Sequence, residues 1–211
     1  MGRIAIGLMV AGGFLAYFGY EEYKVGAGAS ADPVRVDLAT LENGTPPPDS
    51  HLDIGPHWAI FPVWVGWGEL ETDKLDYIYY PIVSETHPYN QAWDALLVQY
   101  GEQEIPESAM PQLTSLAVLV KSKRYKTESA VPAQWENVGS VQGLLVNEIE
   151  SLKPGEEQSL RQAFPGLSLE NVMILEQDRR PKSALLALAM MGGGVVVILF
   201  GAGMLIRGFQ E

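Results

Sequence analysis

Residues 183–206 read SALLALAMMGGGVVVILFGAGMLI, and this stretch decides the fold class. It contains no charged residue and no histidine, and a helix needs roughly 20 apolar residues to cross the hydrocarbon core of a membrane. Residues 4–20, IAIGLMVAGGFLAYFGY, are also uncharged, although they are near the short end of the spanning length. The sequence therefore predicts a transmembrane helix at 4–20 and another at 183–206.

The residues between these helices have a different composition. Residues 32–178 contain eight Lys and Arg against 23 Asp and Glu, together with all five tryptophans and all three histidines. Such an acidic domain would repel the phosphates of nucleic acids. Cysteine is absent, which excludes disulfides, thiolate metal sites and cysteine nucleophiles. We expect residues 32–178 to form one water-soluble domain that does not bind nucleic acid.

The pattern of apolar residues in this domain predicts more strands than helices. Segments that begin with proline at 88–99 and 154–163 have the character of helices. Alternating or β-rich segments predict strands at 34–41, 57–70, 76–84, 113–125, 138–152 and 171–176. The strands at 57–70 and 76–84 are joined by a polar turn around residues 71–73 and are typical of a hairpin.

These elements follow one another without regular βαβ alternation. We therefore predict an α+β membrane protein in which two terminal transmembrane helices flank one domain. That domain is expected to be β-rich and mostly antiparallel, with about two helices.

The side of the membrane that the domain occupies depends on the basic residues beside the two helices. Lys24 and residues 179–182 outnumber the basic residues at the termini, which taken alone would place the domain in the cytoplasm. The first helix usually sets the orientation, however, and its positive end is the N-terminus with Arg3. We predict an extracytoplasmic domain anchored in the inner membrane of a bacterium. Cleavage of a secretory signal after Ala31 is the alternative, which the charged residues at 21–24 disfavour.

Four large aromatic residues, Trp58, Phe61, Trp64 and Trp67, follow one another in the first half of the predicted hairpin. On one continuous strand, Trp58 and Trp64 would share one face, and Phe61 and Trp67 would share the other. Burial in the core is the interpretation that we favour, because aromatic residues dominate cores. Contact with lipid, a ligand or a partner protein is the alternative.

Two histidines and a carboxylate occur together at His51, Asp53 and His57. Such a set could hold a divalent metal, but Pro56 disrupts the strand spacing and the histidines are poorly grouped. We predict no bound metal and no cofactor. His87 directly precedes a proline, which favours a role at the entry of a helix over a role as catalytic base.

A basic run interrupts the acidic domain at Lys121, Lys123, Arg124 and Lys126. It would suit lipid headgroups or an acidic partner. The interpretation that we favour is the solvated end of a strand.

Small residues recur in both predicted spans. Gly7 and Ala11 are four residues apart in the first span, and Gly194 and Gly201 are seven apart in the second, where Gly193 is also small. Small residues at such intervals let helices approach closely in lipid. We predict that the spans contact other membrane-protein subunits or a second copy of the chain.

No motif of a known enzyme class occurs in the sequence. There is no P-loop, dinucleotide fingerprint, H-E-x-x-H or G-x-S-x-G. We expect a non-enzymatic accessory, assembly or scaffold subunit of a larger membrane complex, whose partners are the lipid bilayer and other subunits. The second reading is a lipid- or small-molecule-binding membrane-anchored module that uses the aromatic hairpin. The third is a membrane-bound hydrolase that uses His87 or His57 with a neighbouring acid.

Overall fold

The chain divides into two compact units in a computed structural model. The described residues are 2–26, 28–69, 72–101, 103–148, 152, 154–169 and 171–208. The terminal unit comprises Met1–Ala31 and Arg180–Glu211, and the central domain comprises Asp32–Arg179. The α-helices within the described residues are α1 (Gly2–Gly26), α2 (Leu38–Glu42), α3 (Pro88–Tyr100), α4 (Pro154–Ala163) and α5 (Ala184–Gly208). The strands are β1 (Val34–Val36), β2 (His51–Ile54), β3 (His57–Ala59), β4 (Val65–Gly68), β5 (Leu75–Val83), β6 (Val118–Ser122), β7 (Glu136–Val138), β8 (Val141–Glu148) and β9 (Met173–Gln177).

Two long apolar helices, α1 and α5, make up the terminal unit. Gly2–Lys24 and Ala184–Arg207 are each long and apolar enough to span a membrane. Only 17% of the most apolar window of each helix is buried, unlike the mostly buried core helix of a soluble protein. Ser183 precedes α5 and caps it, because its Oγ accepts a hydrogen bond from the backbone N–H of Leu186 at 3.3 Å.

α1 and α5 pack in antiparallel directions along a seam of small residues. A Cβ at Gly12 would lie 2.7 Å from the carbonyl oxygen of Gly194, and a Cβ at Gly201 would lie 2.8 Å from that of Ala5. Real Cβ atoms do not come so close, so both positions require glycine for this contact. The seam repeats every seven residues, at Ala5, Gly12 and Gly19 on α1 and at Ala187, Gly194 and Gly201 on α5.

The central domain is built on a mixed sheet. Its strand order is β1-β2-β8-β9-β6-β5-β3-β7, and β4 pairs with β5 outside this path. The β1–β2 and β6–β9 pairs are parallel, and the six other pairs among the described strands are antiparallel. The predicted hairpin is present as β4 and β5, which pair from Val65 with Tyr79 to Gly68 with Leu75.

Both faces of the central strands are buried. Val118 and Leu119 are neighbours on β6 but belong to two different core clusters, because successive strand residues point to opposite faces. α2 packs into the first cluster through Leu38, and α4 packs into the second through Leu160. Phe164, which directly follows α4, belongs to the second cluster as well. Leu160 is fully buried, which stabilises the fold by about 1.5–3 kcal/mol. The two helices therefore cover opposite faces of the sheet.

The predicted strand at 34–41 is wrong beyond Val36. Asp37 accepts a hydrogen bond at Oδ1 from the backbone N–H of Ala39 at 3.1 Å and thereby begins α2. Aspartate is a preferred residue at this capping position because it satisfies an N–H group that the helix leaves unpaired. Leu38 and Leu41 are then three residues apart on one helical face, and both are buried.

The predicted strand at 57–70 is also wrong as a continuous element. Phe61–Val63 forms a 3₁₀ turn that separates β3 from β4. Pro62 has no backbone N–H to give to a strand ladder, which explains the interruption. Both short strands pair with β5. Leu70, at the end of the predicted strand, and Glu71, in the predicted turn, lie outside the described residues.

The remaining predicted elements differ from the structure mainly in length. The predicted strand at 113–125 is reduced to β6, and the one at 138–152 corresponds to β8, with residues 149–151 outside the described part of the chain. The last predicted strand begins two residues later, at Met173. Both predicted helices are confirmed, as α3 and α4.

Candidate functional site

Helix α3 is capped at both ends. The Nδ1 atom of His87 accepts a hydrogen bond from the backbone N–H of Tyr89 at 3.2 Å, and Pro88 occupies the first helical turn. The helix ends at Gly101, whose φ of 59° suits glycine. Within α3 only Asn90 is buried, whereas Leu97 is 55% and Val98 is 87% exposed.

An open cavity of about 300 Å³ lies between α3 and the sheet. Its aromatic walls are Trp58 from β3, Trp93 from α3 and Trp135, which directly precedes β7. β3 and β7 pair with Trp58 opposite Asn137, and this pairing brings Trp58 and Trp135 to the same part of the sheet. Asn90, Asp94 and Leu97 of α3 complete the lining. We call this cavity the indole groove.

The rings of the indole groove form a corner. Trp93 and Trp135 have ring centroids 5.7 Å apart and planes that cross at 77°. Tyr89 stacks on the Trp135 ring, at 5.3 Å and 17°, and supports this wall. The Nε1 atom of Trp93 is buried and has no hydrogen-bond partner among the described residues. The walls therefore present mainly the faces and edges of aromatic rings.

The charge of the indole groove is negative. No basic side chain is among the described residues that line it. Asp94 is exposed, and within the described part of the chain no basic side chain forms an ion pair with its carboxylate. The groove is thus an aromatic site with one carboxylate on its lining.

The predicted aromatic run does not stay together, and its predicted faces are wrong. Phe61 and Trp64 pack on the first core cluster, whereas Trp58 and Trp67 pack on the second. The 3₁₀ turn at Phe61–Val63 causes this, because it breaks the strand alternation between Trp58 and Trp64. Trp67 stacks on Tyr77 at 6.3 Å, and only Trp58 of the run lines the indole groove.

Trp93 and Trp135 are the groove tryptophans that the sequence reasoning missed, as it also missed Asn90, Asp94 and Leu97 of α3. Tyr89, Trp93 and Leu97 recur every four residues on the predicted helix, and this apolar stripe was a signal for Trp93. Trp135 lies in a segment without periodicity. Its position follows from the pairing of β7 with β3, which no local pattern indicates.

The basic run is distributed among separate contacts. The Nζ atom of Lys121 lies 3.9 Å from the ring centroid of Tyr77. Lys123 forms an ion pair with Glu176, and Arg124 donates to both carboxylate oxygens of Asp178, at 2.6 and 2.8 Å. Lys126 is exposed. These contacts divide the run, so its four side chains do not form one basic patch.

The residues weighed as a metal site are also held apart. Asp53 accepts from Arg35 at 2.6 Å, and its Oδ1 atom is buried without a partner among the described residues. His57 donates from Nδ1 to the carbonyl oxygen of Gly55 at 2.7 Å, and burial lowers the pKa of His57. His51 is buried in β2. Among the described residues, no group of three or more His, Asp and Glu side chains could hold a metal ion.

His87 has a hydrogen-bonding pattern that bears on the hydrolase reading. Its Nδ1 atom is an acceptor at the start of α3, so the proton of the neutral ring is on Nε2. Nε2 lies 3.4 Å from the Oγ atom of Ser115 and can only donate to it. In this tautomer His87 has no lone pair with which to remove a proton from Ser115.

No protein-family model matches the chain, and neither a curated protein nor a solved structure shows significant similarity to it.

Proposed function

We propose that this protein is an integral membrane protein and a non-enzymatic accessory or scaffold subunit of a larger membrane complex. Both terminal helices expose large apolar side chains, such as Phe14 in α1 and Leu199 and Phe200 in α5, each at least 60% exposed. Exposed apolar surface in water costs about 25 cal/mol per Å² relative to burial, and lipid would cover it. On the first-helix argument, the acidic domain is extracytoplasmic, at the inner membrane of a bacterium.

The observation that carries the subunit role is the outer surface of α3. Leu97 and Val98 are exposed beside the indole groove, on a domain that is otherwise rich in acidic residues. Protein interfaces concentrate their binding energy in tryptophan and tyrosine, surrounded by apolar contacts that exclude water. We define the exposed side chains of Leu97 and Val98, beside the indole groove, as the α3 surface and assign this surface to partner binding.

The spans support the same role. The seam between α1 and α5 uses Gly194 and Gly201 inside the chain, but it leaves other glycines open. Among the described residues, a Cβ at Gly192 or Gly203 would meet no atom of another element within 4 Å, and one at Gly193 would meet only Leu15, at 3.8 Å. These open positions on α5 suit the close approach of a helix from another subunit or from a second copy.

Site-specific photo-crosslinking in native membranes tests the role of the α3 surface. A photo-reactive residue in place of Val98 should give a crosslinked product of one defined mass. Gln99 is the matched control, because it is exposed on the same helix, about 100° from Val98 around its axis. Leu97→Glu should abolish the product at position 98. No product at position 98, or equal products at positions 98 and 99, would overturn the assignment.

A further inference from the structure

We infer that the indole groove binds an organic cation with an alkylated ammonium group, of the choline type. This inference goes beyond the role in a membrane complex, and the two stand or fall on different measurements. The faces of indole rings carry partial negative charge, and tryptophan is the best aromatic partner for a cation. Trp58, Trp93 and Trp135 bring three such rings to one cavity.

In one other aromatic cluster of the central domain, a lysine of the chain itself lies over the rings. At Tyr77 and Tyr79 a cation of the chain itself, the Nζ atom of Lys121, lies 3.9 and 5.3 Å from the ring centroids. In the described part of the chain, no Lys or Arg takes the corresponding place over the three tryptophans of the groove. The groove therefore offers tryptophan rings over which no cation of the described residues lies, and this place is open to a cation from outside the chain.

The charge and size of the groove narrow the ligand further. Asp94 contributes a carboxylate, and the domain that surrounds it has 23 acidic against eight basic side chains, which disfavours an anion. A volume of about 300 Å³ is at the lower end of the range for ligand pockets. It suits a small cation or a headgroup, and the apolar rings favour methylated nitrogen over a strongly hydrated primary ammonium.

Titration of the full chain in maltoside micelles with choline tests the inference, with tryptophan fluorescence as the readout. The control ligand is 3,3-dimethylbutan-1-ol, which has the shape of choline without its charge. We expect saturable binding of choline, and binding of the neutral alcohol that is about twofold to thirtyfold weaker, the range that cation–π energies correspond to. Equal binding of the two would show a merely apolar groove, and no binding of either would also overturn the inference.

Matched variants test whether a fluorescence change on addition of choline comes from the indole groove. Asp94→Asn keeps the shape and should weaken choline binding more than binding of the alcohol. Trp93→Leu should abolish choline binding, whereas Trp67→Phe, which changes a tryptophan outside the groove, should leave it unchanged. Circular dichroism checks that each variant is folded. Choline binding that is insensitive to Asp94→Asn and Trp93→Leu would place the site elsewhere and contradict the inference.

A third ligand identifies the source of the ammonium group. Glycerophosphocholine carries the phosphate of a lipid headgroup beside the same cation. If it binds as tightly as choline, a phosphocholine lipid is the ligand class. If choline binds and glycerophosphocholine does not, the ligand is a free cation. Either result supports a site for alkylated ammonium.

Discussion

His87 caps α3 through a ring nitrogen, so its protonation state is linked to the start of that helix. The Nδ1 atom can accept from the N–H of Tyr89 only when it carries no proton. Burial lowers the pKa of His87, although the carboxylate of Glu42 acts in the opposite direction. The unfolded chain takes up a proton near pH 6.5, while the folded chain resists it. Stability is therefore fully present above this pH and declines as the pH falls below it.

The variant His87→Asn keeps a side chain that can cap α3 but removes the imidazole that takes up a proton. Asparagine is a good N-cap residue, so we expect an unfolding free energy within about 1 kcal/mol of wild type at pH 7.5. Between pH 7 and 5 its stability should decline less steeply than that of wild type. Urea denaturation in micelles measures this by tryptophan fluorescence, which reports on the central domain because all five tryptophans lie there. A decline as steep as in wild type would refute the link.

Glu176 makes the stability of the central domain depend on pH in a second, more acidic range. Burial alone would raise its pKa, but hydrogen bonds from Lys123 and Arg179 outweigh burial and lower the pKa below the ordinary value. A lowered carboxyl pKa contributes stability above the unfolded pKa, and this contribution is lost as the pH falls through the folded pKa. The buried carboxylate thus contributes to acid sensitivity below about pH 4.5.

We predict that Glu176→Gln destabilises the central domain by about 1.5–3 kcal/mol at pH 7, the range for hydrogen bonds that involve a charged group. The variant should also lose less stability than wild type between pH 5 and 3. Arg161→Gln is the control, because Arg161 pairs with Glu157 on the exposed side of α4 and such pairs contribute little. Equal effects of the two substitutions at pH 7 would show that Glu176 has no special role.

At the scale of elements, the seam between α1 and α5 depends on a seven-residue repeat of small residues. A Cβ at Gly194 would lie 2.6 Å from the backbone nitrogen of Ala16, so a side chain there must push the helices apart. Gly192, in the same run of three glycines, faces open space. Two positions in one glycine run therefore have opposite requirements.

Gly194→Leu is expected to separate the two helices, and Gly192→Leu is the matched control of equal composition. Cysteines at Leu15 and Gly193, which are near each other beside the seam, allow a short bismaleimide to crosslink α1 to α5. We predict a loss of at least about threefold in crosslinking yield with Gly194→Leu, because overpacking by a large side chain costs roughly 1–3 kcal/mol or more. With Gly192→Leu the yield should not change. Similar yields in both variants would contradict the seam.

The elements that the sequence predicts well are those with local signals. α3 and α4 begin with proline and are found at the predicted places. The seven-residue spacing of Gly194 and Gly201 is visible in the sequence, but the sequence alone did not tell whether the partner helix was in the same chain. Asp37 was a capping signal that we overlooked in favour of the alternation at Val34 and Val36.

The sequence predicts poorly the elements and contacts that depend on residues far apart in the chain. The indole groove brings Trp58, Trp93 and Trp135 together across 77 residues, and this requires the β3–β7 pairing, which joins segments far apart in the chain. Strand lengths also depend on such pairing. β6 ends at Ser122, where its pairing with β5 ends, one residue after its pairing with β9 ends.

At the scale of the whole molecule, the proposal combines two spanning helices with an extracytoplasmic interaction domain. Two spans return the chain to its starting side, so the N-terminus and the central domain would face opposite sides of the membrane. The exposed apolar side chains in the middle of α5, such as Val196, would then face lipid. The accessibility of single residues to a water-soluble reagent therefore tests both the spans and the topology.

Single-cysteine labelling in intact bacterial cells is the most direct test, because the chain has no cysteine of its own. The reagent is a membrane-impermeant maleimide, and the sites are Gly2→Cys, Ser129→Cys and Val196→Cys, all at exposed positions. We predict labelling of Ser129→Cys in intact cells, of Gly2→Cys only after permeabilisation, and of Val196→Cys only in denaturing detergent. Labelling of Val196→Cys as fast as Ser129→Cys would contradict the membrane span. Labelling of Gly2→Cys and Ser129→Cys from the same side would contradict the two-span topology.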